Sequence, residues 1–134
     1  MITLENDYIK VSLAAKGAEL QGLFSKETKL EYLWNANPKY WAKHSPVLFP
    51  IVGSLKNNSF TYQGKSYELP RHGFARDHVF NLEKISETEA VFTLTQNEDT
   101  LKVYPFYLIY PDRIFYNFSL LKKLLQFVLL SIEK

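Results

Sequence analysis

The chain has 134 residues, enough for one domain with a hydrophobic core of its own. It contains no cysteine, which excludes a disulfide framework, a thiolate zinc site and a cysteine nucleophile. Sixteen basic and fourteen acidic residues give a formal net charge of +2, too mild to indicate nucleic-acid binding. Ten Phe, nine Tyr and two Trp favour half-buried pleated surfaces, so we expect a β-rich fold.

The first third of the chain predicts short strands joined by close turns. Alternation of apolar and polar residues over residues 4–13 predicts a half-buried strand, and residues 19–24 and 30–34 predict two more. Short strands with close turn signals indicate an antiparallel meander. Residues 35–50 contain three prolines, which disfavour both helix and ladder pairing there.

A hairpin and two further strands are predicted downstream. Residues 60–69 predict a hairpin around a central Gln-Gly pair. Residues 70–77 read as a loop, and residues 78–85 and 90–95 each predict a strand. Together these elements predict an antiparallel all-β fold.

The tail of the chain departs from this strand pattern. Pro111 interrupts it, and apolar residues then recur at helical spacing from Leu120 to Leu129. With Ser119 as the N-cap, this spacing predicts a short C-terminal helix. Its apolar density is high for a surface helix, so we expect it to be buried or to contact a partner.

No segment has the composition of a signal peptide or a membrane span. Residues 1–7 lack a basic region and an apolar region, and the longest apolar stretch, residues 114–132, is interrupted by Lys122 and Lys123. We therefore expect a cytoplasmic protein without a membrane partner, a location that the lack of cysteine also fits.

Residues 71–77 are the most informative segment for function, with His72 between Arg71 and Arg76. A neutral imidazole donates at one nitrogen and accepts at the other, which suits a hydroxyl-rich ligand, and guanidiniums suit an anionic one. The alternative is a capped turn in which Arg76 pairs with Asp77. Both interpretations stay open from the residue types alone.

Other groups of residues give weaker evidence for a functional site. Trp41 has two open interpretations, stacking on a sugar face or packing, whereas Trp34 is expected in the core. The three histidines match no zinc spacing, so we expect no metal. The sequence has no glycine-rich phosphate loop, nucleophile elbow or dinucleotide fingerprint, so we expect no cofactor.

A resemblance connects these segments. Residues 49–53 (Phe-Pro-Ile-Val-Gly), the hairpin after them and the His72-Gly73 pair resemble the aldose 1-epimerase (galactose mutarotase) family, in particular its LacX-type branch. The order and spacing agree over residues 2–106. The resemblance implies an antiparallel β-sandwich of the galactose-mutarotase type, here truncated to roughly its first half. It also implies that His72 binds the sugar near its ring oxygen.

The remaining substrate-binding candidates are weaker. Arg76 falls in a His-Gly-Phe-Ala-Arg stretch that resembles one in hexose-phosphate epimerases, and Arg71 and Trp41 are named for their chemistry. Asn57 ends a Gly-x-x-x-Asn pattern that many family members follow with a substrate-contacting arginine. Here Asn58 follows instead, so that charge is missing.

The resemblance also sets an expectation about catalysis. In the family a glutamate takes the proton of the anomeric hydroxyl and a second histidine protonates the ring oxygen, both far downstream of the His-Gly loop. No residue after His72 matches their context, so we name no catalytic residue, and whether this chain is an enzyme stays open. We predict an aldose 1-epimerase-like protein for interconversion of sugar anomers, impaired by loss of the C-terminal catalytic half.

Two alternatives remain. The first is a non-catalytic carbohydrate-binding remnant or truncated fragment. The second is a jelly-roll lectin or another β-sandwich binding module, which would explain the aromatic residues but not the matched motifs.

We take residues 1–134 as a single domain, the N-terminal portion of an epimerase-like sandwich, with residues 107–134 as an atypical tail. Half a sandwich leaves one sheet face uncovered. We therefore expect the C-terminal apolar segment, or a second copy of the chain in a homo-oligomer, to cover it; a face left uncovered predicts aggregation. The expected small-molecule partner is a hexose, phosphorylated or not.

Overall fold

The computed structural model describes residues 1–106 and 112–118. The first sheet is antiparallel and consists of β1 (Ile2–Glu5), β2 (Ile9–Ala14) and β3 (Glu19–Ser25), in that spatial order. Its pairing register shifts between Ser12 and Leu13.

Alternation along β2 explains why this strand has one buried face. Ile9, Val11 and Leu13 are buried, and the residues between them are not. The strand predicted over residues 4–13 is divided in two, because Asn6 forms a turn. The Asn6 Oδ1 atom accepts hydrogen bonds from the main-chain amides of residues 8 and 9, each at 2.9 Å.

The predicted hairpin is confirmed as β4 (Ser59–Tyr62) and β5 (Lys65–Glu68). Both turn residues have positive φ, 48° at Gln63 and 75° at Gly64. That is the type I′ geometry, whose twist matches the right-handed twist of the paired strands.

A second antiparallel sheet consists of β6 (Asn81–Lys84), β7 (Glu89–Leu94) and β8 (Asp112–Asn117), with β7 in the centre. The predicted strand at residues 90–95 corresponds to β7. The strand predicted at residues 78–85 begins later, because His78 closes a 3₁₀ turn by donating from its main-chain N–H to Ala75 O at 3.1 Å.

The two three-stranded sheets share one hydrophobic core. Buried residues of the first sheet and of β7 belong to the same cluster, together with the loop residues Phe74, Ala75 and Phe80. The Tyr116 hydroxyl of β8 donates to the Ala18 carbonyl of the first sheet's turn at 2.8 Å. The predicted antiparallel all-β class is therefore confirmed.

The strand predicted at residues 30–34 is wrong. Only Glu31 forms an isolated bridge, to Phe24. Its carboxylate Oε1 accepts from the main-chain amides of Leu23 at 2.7 Å and Leu33 at 2.9 Å. A side chain thus binds amides that a regular ladder would use, and this local alternative competes with strand pairing.

A short helix, α1 (Glu98–Val103), was not predicted. Asn97 caps it: its side chain accepts from the Thr100 amide at 2.9 Å, and the Thr100 hydroxyl accepts from the Asn97 amide at 2.9 Å. The predicted C-terminal helix lies outside the described residues. Within residues 1–106 and 112–118, no helix is long and apolar enough to cross a membrane.

The contact between Tyr116 and Ala18 makes stability sensitive to alkaline pH. Burial, with a smaller effect of the Glu19 carboxylate, raises the pKa of the Tyr116 phenol above its usual 10.0. The contribution of the neutral phenol to stability is complete below the unfolded-state pKa and is lost as pH rises through the folded-state pKa. We therefore expect the free energy of unfolding to fall more steeply above about pH 10 in the wild type than in Tyr116→Phe. Urea titrations across this range would measure it, and equal slopes would contradict the prediction.

Candidate binding site

His72 lies on the loop between β5 and β6, and its backbone conformation is uncommon. The φ angle is 69° at His72 and 68° at Gly73, so two consecutive residues occupy the left-handed region. Glycine adopts this region freely, whereas for histidine such a conformation costs of order 1–3 kcal/mol. Strain of this kind persists only where the surrounding structure enforces it, and it is frequent at functional sites.

The surrounding structure here is the segment 49–53. The His72 amide donates to the Gly53 carbonyl at 2.8 Å, and the Phe74 amide donates to the Phe49 carbonyl at 2.9 Å. Gly73 forms a parallel bridge with Phe49, so close that a Cβ atom at position 73 would overlap the Phe49 carbonyl group. The available space therefore requires glycine at this position, and the backbone angle favours it.

The imidazole of His72 is fixed from the same side. Its Nδ1 atom accepts a hydrogen bond from the Gly53 amide at 2.9 Å. On the other side of the ring, Arg71 Nε lies 3.2 Å from Nε2. The His72 residue is half-buried, and the exposed Arg71 approaches it from outside.

His72 lines a cavity of about 360 Å³, together with Arg76 and Trp41. This volume falls within the range of small-molecule sites. The other lining residues come from one segment of the chain: Lys43, His44, Ser45, Pro46 and Leu48. Three of the five predicted substrate-binding residues thus share one cavity, and their binding role stays a prediction.

Contacts with the first sheet position both walls of the cavity. On one wall, the Ser45 hydroxyl donates to Leu20 O at 2.7 Å, and the His44 amide donates to the Glu19 carboxylate at 3.0 Å. Beside the other wall, two residues after Arg76, the Gly17 amide donates to His78 O at 2.8 Å. The residues that line the cavity are far apart in sequence. They meet because one segment is bonded to β3 and the other to the turn between β2 and β3.

The lining is positively charged. Lys43 Nζ lies 3.3 Å and Arg76 Nε 3.4 Å from the two carboxylate oxygens of Asp77. The predicted pairing of Arg76 with Asp77 therefore exists beside the cavity. Arg76 Nε is buried and has no hydrogen bond, because its contact with Asp77 lacks hydrogen-bond geometry. Among the described lining residues there is no carboxylate.

Arg71 and Asn57 do not belong to the described lining. Arg71 contacts the His72 ring, whereas Asn57 is exposed, with φ 56°, in the 3₁₀ turn Lys56–Asn58. The prediction that Trp34 belongs to the core is wrong. Trp34 is 39% exposed, and its indole N–H donates to the main-chain carbonyl of Trp41 at 2.8 Å.

Most of the wall formed by residues 43–48 was not predicted from the sequence. The only local signal was the irregular, proline-rich stretch that contains Trp41 and His44. Nothing in its pattern places it opposite His72, because bonds to the first sheet create that proximity. In the part of the chain that the structure describes, no cluster of three or more His, Asp or Glu residues could hold a metal ion.

Comparison with known proteins agrees with this architecture. The family model described as aldose 1-epimerase matches residues 1–110. The protein LacX of Lactococcus lactis subsp. lactis is 37% identical over 108 residues, which is 77% of this chain and 36% of that protein. The chain belongs to the aldose 1-epimerase family and is of the LacX type.

Two solved structures are also similar to this chain. A galactose mutarotase related enzyme from Lactobacillus acidophilus superposes with a TM-score of 0.82 at 46% identity, over 88% of this chain and 39% of that one. A galactose mutarotase-like protein from Lactobacillus casei gives a TM-score of 0.77 at 40% identity, over 80% and 36%. The chain thus spans little more than a third of the length of these relatives. The described strands correspond to the galactose-mutarotase-like fold.

Proposed function

We propose that the cavity beside His72 binds an aldose sugar, as part of an aldose 1-epimerase-like protein that interconverts sugar anomers. The observation that supports this most is the convergence of an imidazole, an indole and two cationic side chains on a cavity of about 360 Å³. Sugar hydroxyls both donate and accept hydrogen bonds. The imidazole and the cations can donate to them, and the Ser45 oxygen, whose proton goes to Leu20 O, can accept. The half-exposed indole of Trp41 offers a face for the C–H surface of a sugar ring.

Binding is better supported than catalysis by this chain alone. Interconversion of anomers requires a base for the anomeric hydroxyl and an acid for the ring oxygen, and each positioned group contributes about 10²–10⁴-fold. The described lining offers imidazoles and cations but no carboxylate. Sugar binding without appreciable acceleration of anomer interconversion is therefore the second candidate function. A cytoplasmic location for the protein stays a prediction.

Replacing His72 by alanine tests the proposal. Loss of a hydrogen bond at a half-buried site costs about 1–3 kcal/mol, so we expect the affinity for D-galactose or D-glucose to fall roughly 5- to 150-fold. Saturation-transfer NMR and calorimetry would measure it. Lys65→Ala is the control, because Lys65 is exposed on the hairpin and is not part of the lining. Absence of saturable binding by the folded wild type would contradict the proposal.

Polarimetry separates binding from catalysis. We expect freshly dissolved α-glucose or α-galactose to equilibrate at the buffer rate in the presence of this chain, because a lining without a carboxylate lacks the expected base. A rate above buffer that disappears in His72→Ala would instead assign catalysis to the chain.

A phosphorylated hexose is the alternative ligand, since Lys43 and Arg76 belong to the lining and Arg71 lies beside His72. Calorimetry with the 6-phosphates of the same sugars distinguishes the two. Tighter binding that weakens with added salt would favour the phosphorylated ligand.

A further inference from the structure

We propose that the main-chain amide of Gly53 fixes His72 as the neutral tautomer protonated at Nε2, so that the ring offers a hydrogen-bond donor to its ligand. The inference rests on the proposed function only for the identity of the ligand. A ligand atom that meets Nε2 must then be a hydrogen-bond acceptor.

The Gly53 bond sets the proton's position. A neutral imidazole has one N–H and one lone pair, and the nitrogen that faces a donor must carry the lone pair. Nδ1 faces the Gly53 amide at 2.9 Å, and the amide of His72 bonds back to the Gly53 carbonyl at 2.8 Å. This reciprocal pair joins two loops and leaves Nε2 to carry the proton.

Arg71 is a second hydrogen-bond donor to the His72 ring, and it competes with the Gly53 amide for the single lone pair of a neutral imidazole. Arg71 Nε, itself a donor, lies 3.2 Å from Nε2, so both ring nitrogens face donors. One lone pair cannot serve both. The Gly53 amide is part of the backbone and partly buried, whereas Arg71 is an exposed, flexible side chain. The contact with Arg71 is therefore the one that gives way.

The opposite assignment is chemically distinct. If Arg71 were the real donor to Nε2, the proton would be on Nδ1, against the Gly53 N–H. A doubly protonated ring would have the same clash between two donors. Both alternatives give up the bond that holds the imidazole in place, so the neutral ring with Nε2–H is the state that fits the geometry.

Nitrogen-15 NMR of the histidine rings tests the proposal without any sugar. Long-range ¹H–¹⁵N correlation spectra of the folded chain distinguish a protonated from an unprotonated ring nitrogen, and the missing signals of His72→Gln identify the His72 ring. We expect Nδ1 to be unprotonated and Nε2 protonated, with one tautomer in at least about tenfold excess. A proton on Nδ1, or averaging between the two forms, would overturn the proposal.

Arg71→Ala provides the second measurement. We expect the same tautomer in this variant, because Gly53 fixes it. A switch of tautomer on removal of Arg71 would show that Arg71 held the ring, and would overturn the proposal. The tautomer assignment and the proposed sugar binding can be contradicted independently. An Nε2-protonated ring in a chain that binds no sugar would contradict the proposed function but would support the role of Gly53.

Discussion

Gly73→Ala is expected to lower the free energy of unfolding by about 2–6 kcal/mol. Alanine at φ 68° is strained by of order 1–3 kcal/mol, and overpacking against fixed atoms adds about 1–3 kcal/mol. The new Cβ would overlap the Phe49 carbonyl and lie 2.5 Å from Pro50 Cδ, so the loop and the segment 49–53 would have to separate. His72 would then lose its bonds to Gly53, and sugar binding would weaken with stability.

Gly64→Ala is the matched control for Gly73→Ala. Gly64 also has a positive φ, 75°, but a Cβ there would meet no atom within 4 Å. The loss of stability in Gly64→Ala should therefore come from the backbone conformation alone, of order 1–3 kcal/mol, without the overpacking that is added in Gly73→Ala. Urea denaturation of both variants measures the difference, and equal losses would show that the contact with Phe49 is not tight.

Phe92→Ala is expected to lower the free energy of unfolding by about 3–5 kcal/mol. Phe92 is the largest of the fully buried side chains, at 0% exposure, and lies on the central strand β7. Its ring packs edge-on against Tyr116, with centroids 5.6 Å apart. Since domains of this size are stable by about 5–15 kcal/mol, the variant should be partly unfolded or melt at a much lower temperature.

Phe115→Ala is the control on the neighbouring strand. Phe115 is 57% exposed, so removing its ring creates no buried cavity, and we expect a change within about 0.5 kcal/mol. Circular dichroism during thermal and urea unfolding would compare the two. A small loss in Phe92→Ala, similar to that in Phe115→Ala, would contradict the assignment of one core shared by both sheets.

Local sequence patterns predicted the elements whose stability depends on local signals. The alternation around Val11 marks a strand with one buried face, and the Gln63-Gly64 pair marks a tight hairpin. Glu31 shows the opposite case. The residues around it favour a strand, but its carboxylate binds the amides of Leu23 and Leu33. The helix at Glu98–Val103 was missed, although Asn97 and Thr100 carry its capping signal.

The residues of the candidate site were likewise only partly predictable from local sequence patterns. His72 was found because an imidazole between guanidiniums is unusual chemistry for a loop. Lys43 and Ser45 were not found, because their proximity to His72 depends on bonds to the first sheet that join residues 25 positions apart. The role of Gly53 depends on the orientation of one ring, and no sequence pattern specifies that.

The most direct test of the account is a sugar titration followed residue by residue. In ¹H–¹⁵N spectra of the labelled chain, D-galactose or D-glucose should shift the amides of residues 41–45, 47, 48, 53 and 71–76, with a common saturation curve that is lost in His72→Ala. Shifts confined to other surfaces, or no saturable shifts from a folded chain, would show that the cavity beside His72 does not bind a sugar.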